Sequence, residues 1–545
     1  MECLREQGVD TIFGYPGGQI MPLYNALYDY QDEIRHVLTC HEQGASHAAD
    51  GYARSTGKTG VCFATSGPGA TNTVTGIATA YMDSVPMVVI TGQVPVSQIG
   101  KDSFQEVDIT GITIPITKHN FFVNDIKDLA SCFRQAFEIA SSGRPGPVLI
   151  DVPKNIQTEL AEYHPVTIEH KQPLFIYDDV KIKELAGLIN RSSRPVIFAG
   201  GGIVIARAAE ELTALAEKAH IPVVNTLMGL GTIPRTHELS LGMVGMHGEK
   251  EANLAVHNSD LILALGTRFS DRVTGDVSRF ARDATIVQVD IDESEIDKNI
   301  HAHISIVGDV KEVLRRLLPD IDKTERKYWL SKVDGYKIVK NIDENEFIAD
   351  NIMRVLHDEM GDDTFIVTEV GQHQMWTAQK WPFMKPGKFL TSGGLGTMGY
   401  GLGAAIGAQI GNPDKQVLHI AGDGSFRMNF NELVSVAAYD LPITTVIMKN
   451  NTLGMVRQWQ KLFFDKRYSQ TDLFDIIDYE KLTEAFGLKA YLVYDIDSLA
   501  KAVKAAKKRE KGTLIVCEIN VDDNVFPMVP PGEAINNLVT SADLL

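Results

Sequence analysis

Short apolar runs that end in glycine-rich turns recur along this chain, and helical apolar spacing fills the gaps between them. The clearest unit spans residues 416–455. Residues 416–421 form an apolar run that predicts a buried strand. Gly422-Asp423-Gly424-Ser425 breaks the run. Phe430, Leu433, Val434 and Ala437 then return at helical spacing, and Asn429 followed by Glu432 reads as a capping box, which predicts a helix start there. A second apolar run, 443–448, ends at Asn450-Asn451. Strand, turn, helix, strand predicts a βαβ unit with parallel strands. Asp423 and Asn450 therefore fall at the carboxyl ends of strands, where open α/β sheets bind ligands.

The same rhythm predicts three α/β domains, each a doubly wound parallel sheet, over residues 1–162, 181–320 and 345–545. In the first, strands are expected at 11–14, 37–40, 60–65, 87–91 and 148–152, with a helix over 45–54. In the second they are expected at 195–199, 223–227, 261–265 and 285–289, the first ending in Gly200-Gly201-Gly202. Residues 162–180 are proline-bearing and aperiodic, and 320–345 are charged and helical, so both read as linkers. The stretch 62–92 repeats the order of 416–455: strand, glycine turn, helix, Ala-Tyr, Pro, strand. That predicts two related domains at the two ends of the chain.

Candidate chemistry sharpens this picture. An Asp oxygen and an Asn carbonyl are hard ligands suited to Mg2+, and glycines on both sides of Asp423 let backbone approach a phosphate. Arg268 and Arg272, just after a strand, are placed to clamp a diphosphate, although surface ion pairing is the usual fate of arginine. The 545 residues are 44% apolar and 22% charged, and 52 basic against 70 acidic side chains give −18. Nucleic acid and anionic membrane are poor partners for such a chain. The five cysteines show no CxxC spacing, which points to reduced thiols and a cytoplasmic protein. No apolar run is long enough to span a bilayer.

GDG, about 25 residues, then NN is the diphosphate signature of thiamine-diphosphate enzymes, and the chain resembles that superfamily. The run GTRFSDRVTG (266–275), with VGMHG (244–248), VDID (289–292) and SGRPGPV (142–148), resembles the FAD-containing acetolactate synthase family over essentially the whole chain. The resemblance implies a pyrimidine-binding first domain, a Rossmann-like FAD domain and a diphosphate-binding third domain. It implies Mg2+ on Asp423, Asn450 and the Thr452 carbonyl. Thiamine diphosphate would lie against Val370, Gly371, Gln372, His373, Met398, Gly422, Gly424, Ser425, Leu453, Gly454 and Met455. FAD would lie against Arg144, Gly200, Gly201, Gly202, Thr226, Leu227, Met246, His247, Gly266, Arg268, Arg272, Asp290, Ile291, Gly308 and Asp309. Glu42 would be the activating carboxyl at the pyrimidine. Met398 would hold the cofactor bent. Phe104, Gln105, Lys154, Val456 and Trp459 would line the substrate channel, with Trp459 favouring 2-oxobutanoate over a second pyruvate as acceptor.

Ser270 stands where the family usually has an acidic residue, and Lys449 where it usually has Asn. The implied activity is decarboxylation of pyruvate and carboligation to a second 2-oxoacid. The implied assembly is a homodimer or tetramer with each site shared between subunits, together with a small regulatory subunit. The alternatives are an FAD-dependent pyruvate oxidase, an FAD-free acetolactate synthase, glyoxylate carboligase, or a regulatory protein with a decayed site.

Overall fold

The computed structural model describes residues 1–167, 175–338 and 342–541. Three six-stranded sheets follow one another along the chain, and every strand pair in them is parallel. The first holds β1 (Thr11–Gly14), β2 (Arg35–Leu38), β3 (Gly60–Ala64), β4 (Met87–Gln93), β5 (His119–Phe122) and β6 (Pro147–Pro153). The second holds β7 (Pro195–Ala199), β8 (Val223–Asn225), β9 (Ser240–Met243), β10 (Leu261–Leu265), β11 (Thr285–Asp290) and β12 (Ile304–Val307). The third holds β13 (Phe365–Thr368), β14 (Phe389–Leu390), β15 (Val417–Gly422), β16 (Thr444–Lys449), β17 (Lys489–Val493) and β18 (Thr513–Glu518).

The first and third sheets have the same strand order, β2-β1-β3-β4-β6-β5 and β14-β13-β15-β16-β18-β17. The resemblance between 62–92 and 416–455 is thus carried by a repeated domain. The middle sheet has the order β12-β11-β10-β7-β8-β9, the dinucleotide-binding winding, whose switch point lies between β7 and β10. Gly200 and Gly266 follow those two strands.

The first and third domains share one apolar core. The helix Glu42–Thr56 crosses the helix Gly401–Gly411 at very short range. A methyl on Gly407 would meet the Ala48 carbonyl at 1.8 Å, and one on Gly51 the Ala404 carbonyl at 2.1 Å. Small residues are required here because the two backbones touch.

Several sequence expectations are corrected. The helix after β15 begins at Asp423, not at Asn429, with Gly422 as its N-cap. Asn429 instead donates to the Gly399 carbonyl, and Glu432 accepts the backbone N–H groups of Cys40 and His41 at 3.1 Å. What read as a capping box is a clamp on the loop that carries Glu42. The second strand ends at Leu38 rather than Cys40, and β8 ends at Asn225. Residues 168–174 of the first linker and 339–341 of the second lie outside the described residues. The described part of the second linker is not free. Its helix Lys327–Asp334 buries Trp329 in the middle domain, where the indole N–H donates to the Pro195 carbonyl at 3.0 Å. Among the described residues no helix is long and apolar enough to cross a membrane.

Candidate functional site

β15 and β16 are adjacent and parallel, so their carboxyl ends present Asp423 and Asn450 side by side. A buried Asp423 carboxylate accepts the Asn451 N–H at 3.0 Å, and the Asn450 side-chain Oδ1 accepts the Thr452 N–H at 3.2 Å. Asn451 occupies the left-handed region, φ +55°, which folds the three residues into one tight turn. Burial raises the Asp423 pKa, the penalty expected of a carboxylate set aside for a cation. One carboxylate, one amide oxygen and one backbone carbonyl form a hard oxygen set that fits Mg2+, which fills its remaining positions with phosphate oxygens and water.

Gly371, at φ +152°, precedes the helix Gln372–Lys380, and Gly422 precedes the helix Asp423–Asn429. The His373 ring occupies the space between these turns. A methyl on Gly371 would lie 3.0 Å from its Cε1, and one on Gly422 2.9 Å from its Nδ1. Burial lowers His373 to about 4, so the imidazole is neutral, and its Nε2 has no partner among the described residues. A buried nitrogen left open between two glycine turns fits a bound polar group. Gln372 is already committed: it accepts from the Asn450 amide at 3.3 Å and donates to the Asp523 carbonyl at 2.8 Å. A methyl on Gly454 would meet Gln372 Oε1 at 1.9 Å. Gly424 packs on the Leu453 side chain in the same way, at 2.8 Å.

Met398 is half-buried in a turn held by a residue that sequence reading missed. The Glu369 carboxylate accepts Gly399 N–H at 2.6 Å, Gly401 N–H at 2.8 Å and the Ser425 hydroxyl at 2.7 Å. Burial favours its protonated form, but His419 and the Ser425 hydroxyl outweigh that, and its pKa falls. Glu369 thereby fixes Met398 relative to the Gly422–Ser425 turn. Lys449 is also structural: it pairs with Glu518 at 2.6 Å and Asp475 at 3.2 Å beside the Asp423–Asn450 turn.

Glu42 is the first residue of the helix Glu42–Thr56, capped by His41. It is buried, and its Oε2 accepts from the Asn72 amide at 2.9 Å. A methyl on Gly69 would stand 3.1 Å from its other oxygen, so glycine leaves that oxygen room.

A cleft of about 2280 Å³ opens where the three domains meet. It exceeds the roughly 300–1,000 Å³ of an ordinary ligand pocket. Gly201, Gly202, Thr226, Leu227, Met246, His247, Gly266, Arg268, Arg272, Asp290, Ile291, Gly308, Asp309 and Arg144 all line it. Gly200 does not: a methyl there would strike the Gly266 carbonyl at 2.1 Å, so its role is loop packing. Arg268 and Arg272 do not form one clamp. Arg268 reaches the Met82 carbonyl at 2.5 Å, whereas Arg272 lies 5.9 Å over the Trp459 ring. Gly308 packs under Tyr177, whose hydroxyl accepts the Asp309 N–H at 3.3 Å; sequence reading passed over this tyrosine.

Asp290 ends β11 at the carboxyl edge of the middle sheet and borders the cleft. Burial raises it to about 6. A carboxyl whose folded pKa is raised destabilises the fold as pH climbs from about 4 through about 6. Asp290→Asn is therefore expected to raise the melting temperature of the flavin-free protein at pH 8 and leave it unchanged near pH 4. Melting curves at the two pH values check this.

Comparison with known proteins bears on this architecture domain by domain. The model of the thiamine pyrophosphate enzyme N-terminal TPP binding domain matches residues 1–112, that of the central domain 182–317, and that of the C-terminal TPP binding domain 369–517. The probable acetolactate synthase large subunit of Methanocaldococcus jannaschii is 47% identical over 99% of this chain and 94% of its own length. The acetolactate synthase large subunit of Parasynechococcus marenigrum is 46% identical over 99% of this chain and 90% of its own. The chain belongs to the acetolactate synthase large-subunit family of thiamine pyrophosphate enzymes. The isozyme 2 large subunit of Escherichia coli, 42% identical, covers 99% of the chain and 98% of its own length.

The residues expected at the thiamine cofactor and at the substrate are only partly gathered. Val370, Gly371, Met455 and Trp459 line the same cleft as the middle-domain residues. Trp459 keeps a buried indole N–H without a partner among the described residues. Val456, on the next turn of that helix, is half exposed. Phe104 is 84% exposed, Gln105 holds φ +62° against Gly67, and Lys154 is half-buried on its own domain. None of these three lines the cleft in the single chain.

Proposed function

We propose that this chain is the catalytic subunit of an acetolactate synthase that uses thiamine diphosphate, Mg2+ and FAD. Pyruvate loses CO2, and the remaining two-carbon unit joins a second pyruvate or 2-oxobutanoate. The products are 2-acetolactate or 2-aceto-2-hydroxybutanoate, precursors of branched-chain amino acids. The observation that carries this reading is the Asp423–Asn450–Thr452 turn at adjacent strand ends, in a chain that matches acetolactate synthase large subunits along nearly all its length.

Bound thiamine diphosphate would supply the carbanion and the electron sink. Asp423, Asn450 and the Thr452 carbonyl would hold Mg2+ against the diphosphate, with His373 Nε2 facing it. Glu42 would hold a proton at the pyrimidine ring nitrogen, and Met398, fixed by Glu369, would support the ring from below. Lys154 is the cation assigned to the oxoacid carboxylate. A dry site suppresses proton leakage during the carboligation. Glu42 and Asp423 come from different subunits in this reading, so the active form is a homodimer or tetramer. The large-subunit names of the relatives favour a small regulatory partner as well.

The test is anaerobic incubation with pyruvate, thiamine diphosphate, Mg2+ and FAD. Acetolactate is expected. Pyruvate consumption that requires O2 and gives little acetolactate would establish a pyruvate oxidase instead. Trp459 is assigned to acceptor choice, and one methylene in such a pocket is worth roughly 10–200-fold. Trp459→Leu is expected to reduce the preference for 2-oxobutanoate about tenfold, with acetolactate formation from pyruvate alone little changed. Product ratios under competing acceptors measure it.

A further inference from the structure

Between the helix Val74–Met82 and β4 lies a turn, residues 82–84, that touches both other domains. On one side are two arginines of the cleft. Arg268 donates to the Met82 carbonyl at 2.5 Å, and Arg144 donates to the Ser84 hydroxyl at 2.8 Å. Ser84 holds φ +58°, a conformation that non-glycine residues adopt at a cost and only where their surroundings fix them. On the other side is the glycine loop of the third domain, 393–396, which borders the same cleft, as do Asp83 and Ser84. The Asp83 carboxylate, fully buried, accepts Gly393 N–H at 2.9 Å and Gly394 N–H at 2.7 Å, and pairs with Arg54 at 3.0 Å. That loop runs directly into the Met398 turn. A buried carboxylate stripped of its partners is costly, so turn and loop keep their relative positions.

We propose that Asp83 is a positioning residue that couples occupancy of the flavin cleft to the geometry of the Met398 turn in the thiamine site. The inference rests on the cofactor assignment above. A ligand that engages Arg144 and Arg268 fixes Met82 and Ser84, and with them Asp83 and the two glycine N–H groups. Coupling of this kind is reciprocal, so each cofactor tightens the other by the same factor.

The experiment uses the full-length assembled protein. FAD affinity is read from flavin fluorescence, with and without saturating thiamine diphosphate and Mg2+. The wild-type protein is expected to bind FAD at least about fivefold more tightly when thiamine diphosphate is present. The main variant is Gly394→Ala. Its methyl would meet Asp83 Oδ1, Met82 Cβ and the Met82 carbonyl at 2.9 Å each, so it pushes the loop off Asp83 while keeping both charges of the Asp83–Arg54 pair. Asp83→Asn is the companion, with Arg54 left paired to Asp50 alone. In both, the ratio is expected to fall to about one while FAD still binds. A merely structural defect weakens binding under both conditions and leaves the ratio intact.

Hydrogen exchange gives a readout without fluorescence. FAD alone should slow exchange in peptides covering 397–402, which do not line the cleft, in wild type but not in Gly394→Ala. A wild-type ratio of one, or variants that keep the wild-type ratio and protection, overturns the coupling and leaves the flavin assignment standing. Failure of wild type to bind FAD overturns that assignment and the coupling with it.

Discussion

Glu42→Gln is expected to lower carboligase turnover by about 10²–10⁴-fold, the range for losing a positioned proton-transfer group. Thiamine diphosphate and Mg2+ should still bind, because the Asp423–Asn450–Thr452 turn lies on another domain. Glutamine retains the size of the side chain and an oxygen to accept from the Asn72 amide, which now sits 2.9 Å from Glu42. The helix start should therefore survive, and the effect isolates the acidic proton. Turnover at saturating cofactor, set beside a cofactor binding isotherm, checks both halves. Activity within tenfold of wild type would remove Glu42 from its assigned role.

Asp423→Asn is expected to have the opposite profile. Loss of an outer-shell partner alone typically costs 10–100-fold in metal affinity, and loss of a direct carboxylate ligand should cost at least that. Activity at ordinary Mg2+ concentrations should vanish with cofactor binding. The metal-free fold should not suffer. Burial raises the Asp423 pKa, so the ionised carboxylate destabilises the metal-free protein as pH rises above the ordinary carboxyl range, and a neutral amide removes that penalty. The variant is expected to melt at or above the wild-type temperature at pH 7 without metal, while failing to gain stability when Mg2+ and thiamine diphosphate are added. A variant that melts well below wild type in the metal-free state would show that Asp423 is a fold residue instead.

The strands around Asp423 and Asn450 were legible because fully buried parallel strands read as unbroken apolar runs that glycine or asparagine ends. The repeated domain was legible for the same reason: 62–92 and 416–455 keep one order of strand, turn and helix. The helix start was not, because Gly422-Asp423-Gly424 reads as a break although the first helical turn tolerates it. Glu432 was misplaced because its partners, Cys40 and His41, are some 390 residues away in the chain. Glu369 and Asp83 left no trace in the sequence for a related cause: each is an ordinary acidic residue until the fold brings remote backbone N–H groups to it, those of Gly399 and Gly401 to Glu369 and those of Gly393 and Gly394 to Asp83. Edge strands such as β14, two residues long, carry too little pattern to be seen.

The site residues divided along the same line. Local motifs brought Asp423 and Asn450 to neighbouring strand ends, and the residues named from the family resemblance line part of the cleft. Phe104, Gln105 and Lys154 sit on the first domain and do not line the cleft that Trp459 borders; in the proposed reading a second copy supplies the other half of their site. That assembly is the central claim, and complementation tests it directly. Chains carrying Glu42→Gln are co-expressed with chains carrying Asp423→Asn, each inactive alone. If every site draws its carboxyl and its metal turn from different subunits, mixed dimers contain one site with both residues intact, and about a quarter of wild-type activity should return. If mixing restores nothing although mixed dimers form, both groups serve the same site from one chain, and the shared-site account is wrong.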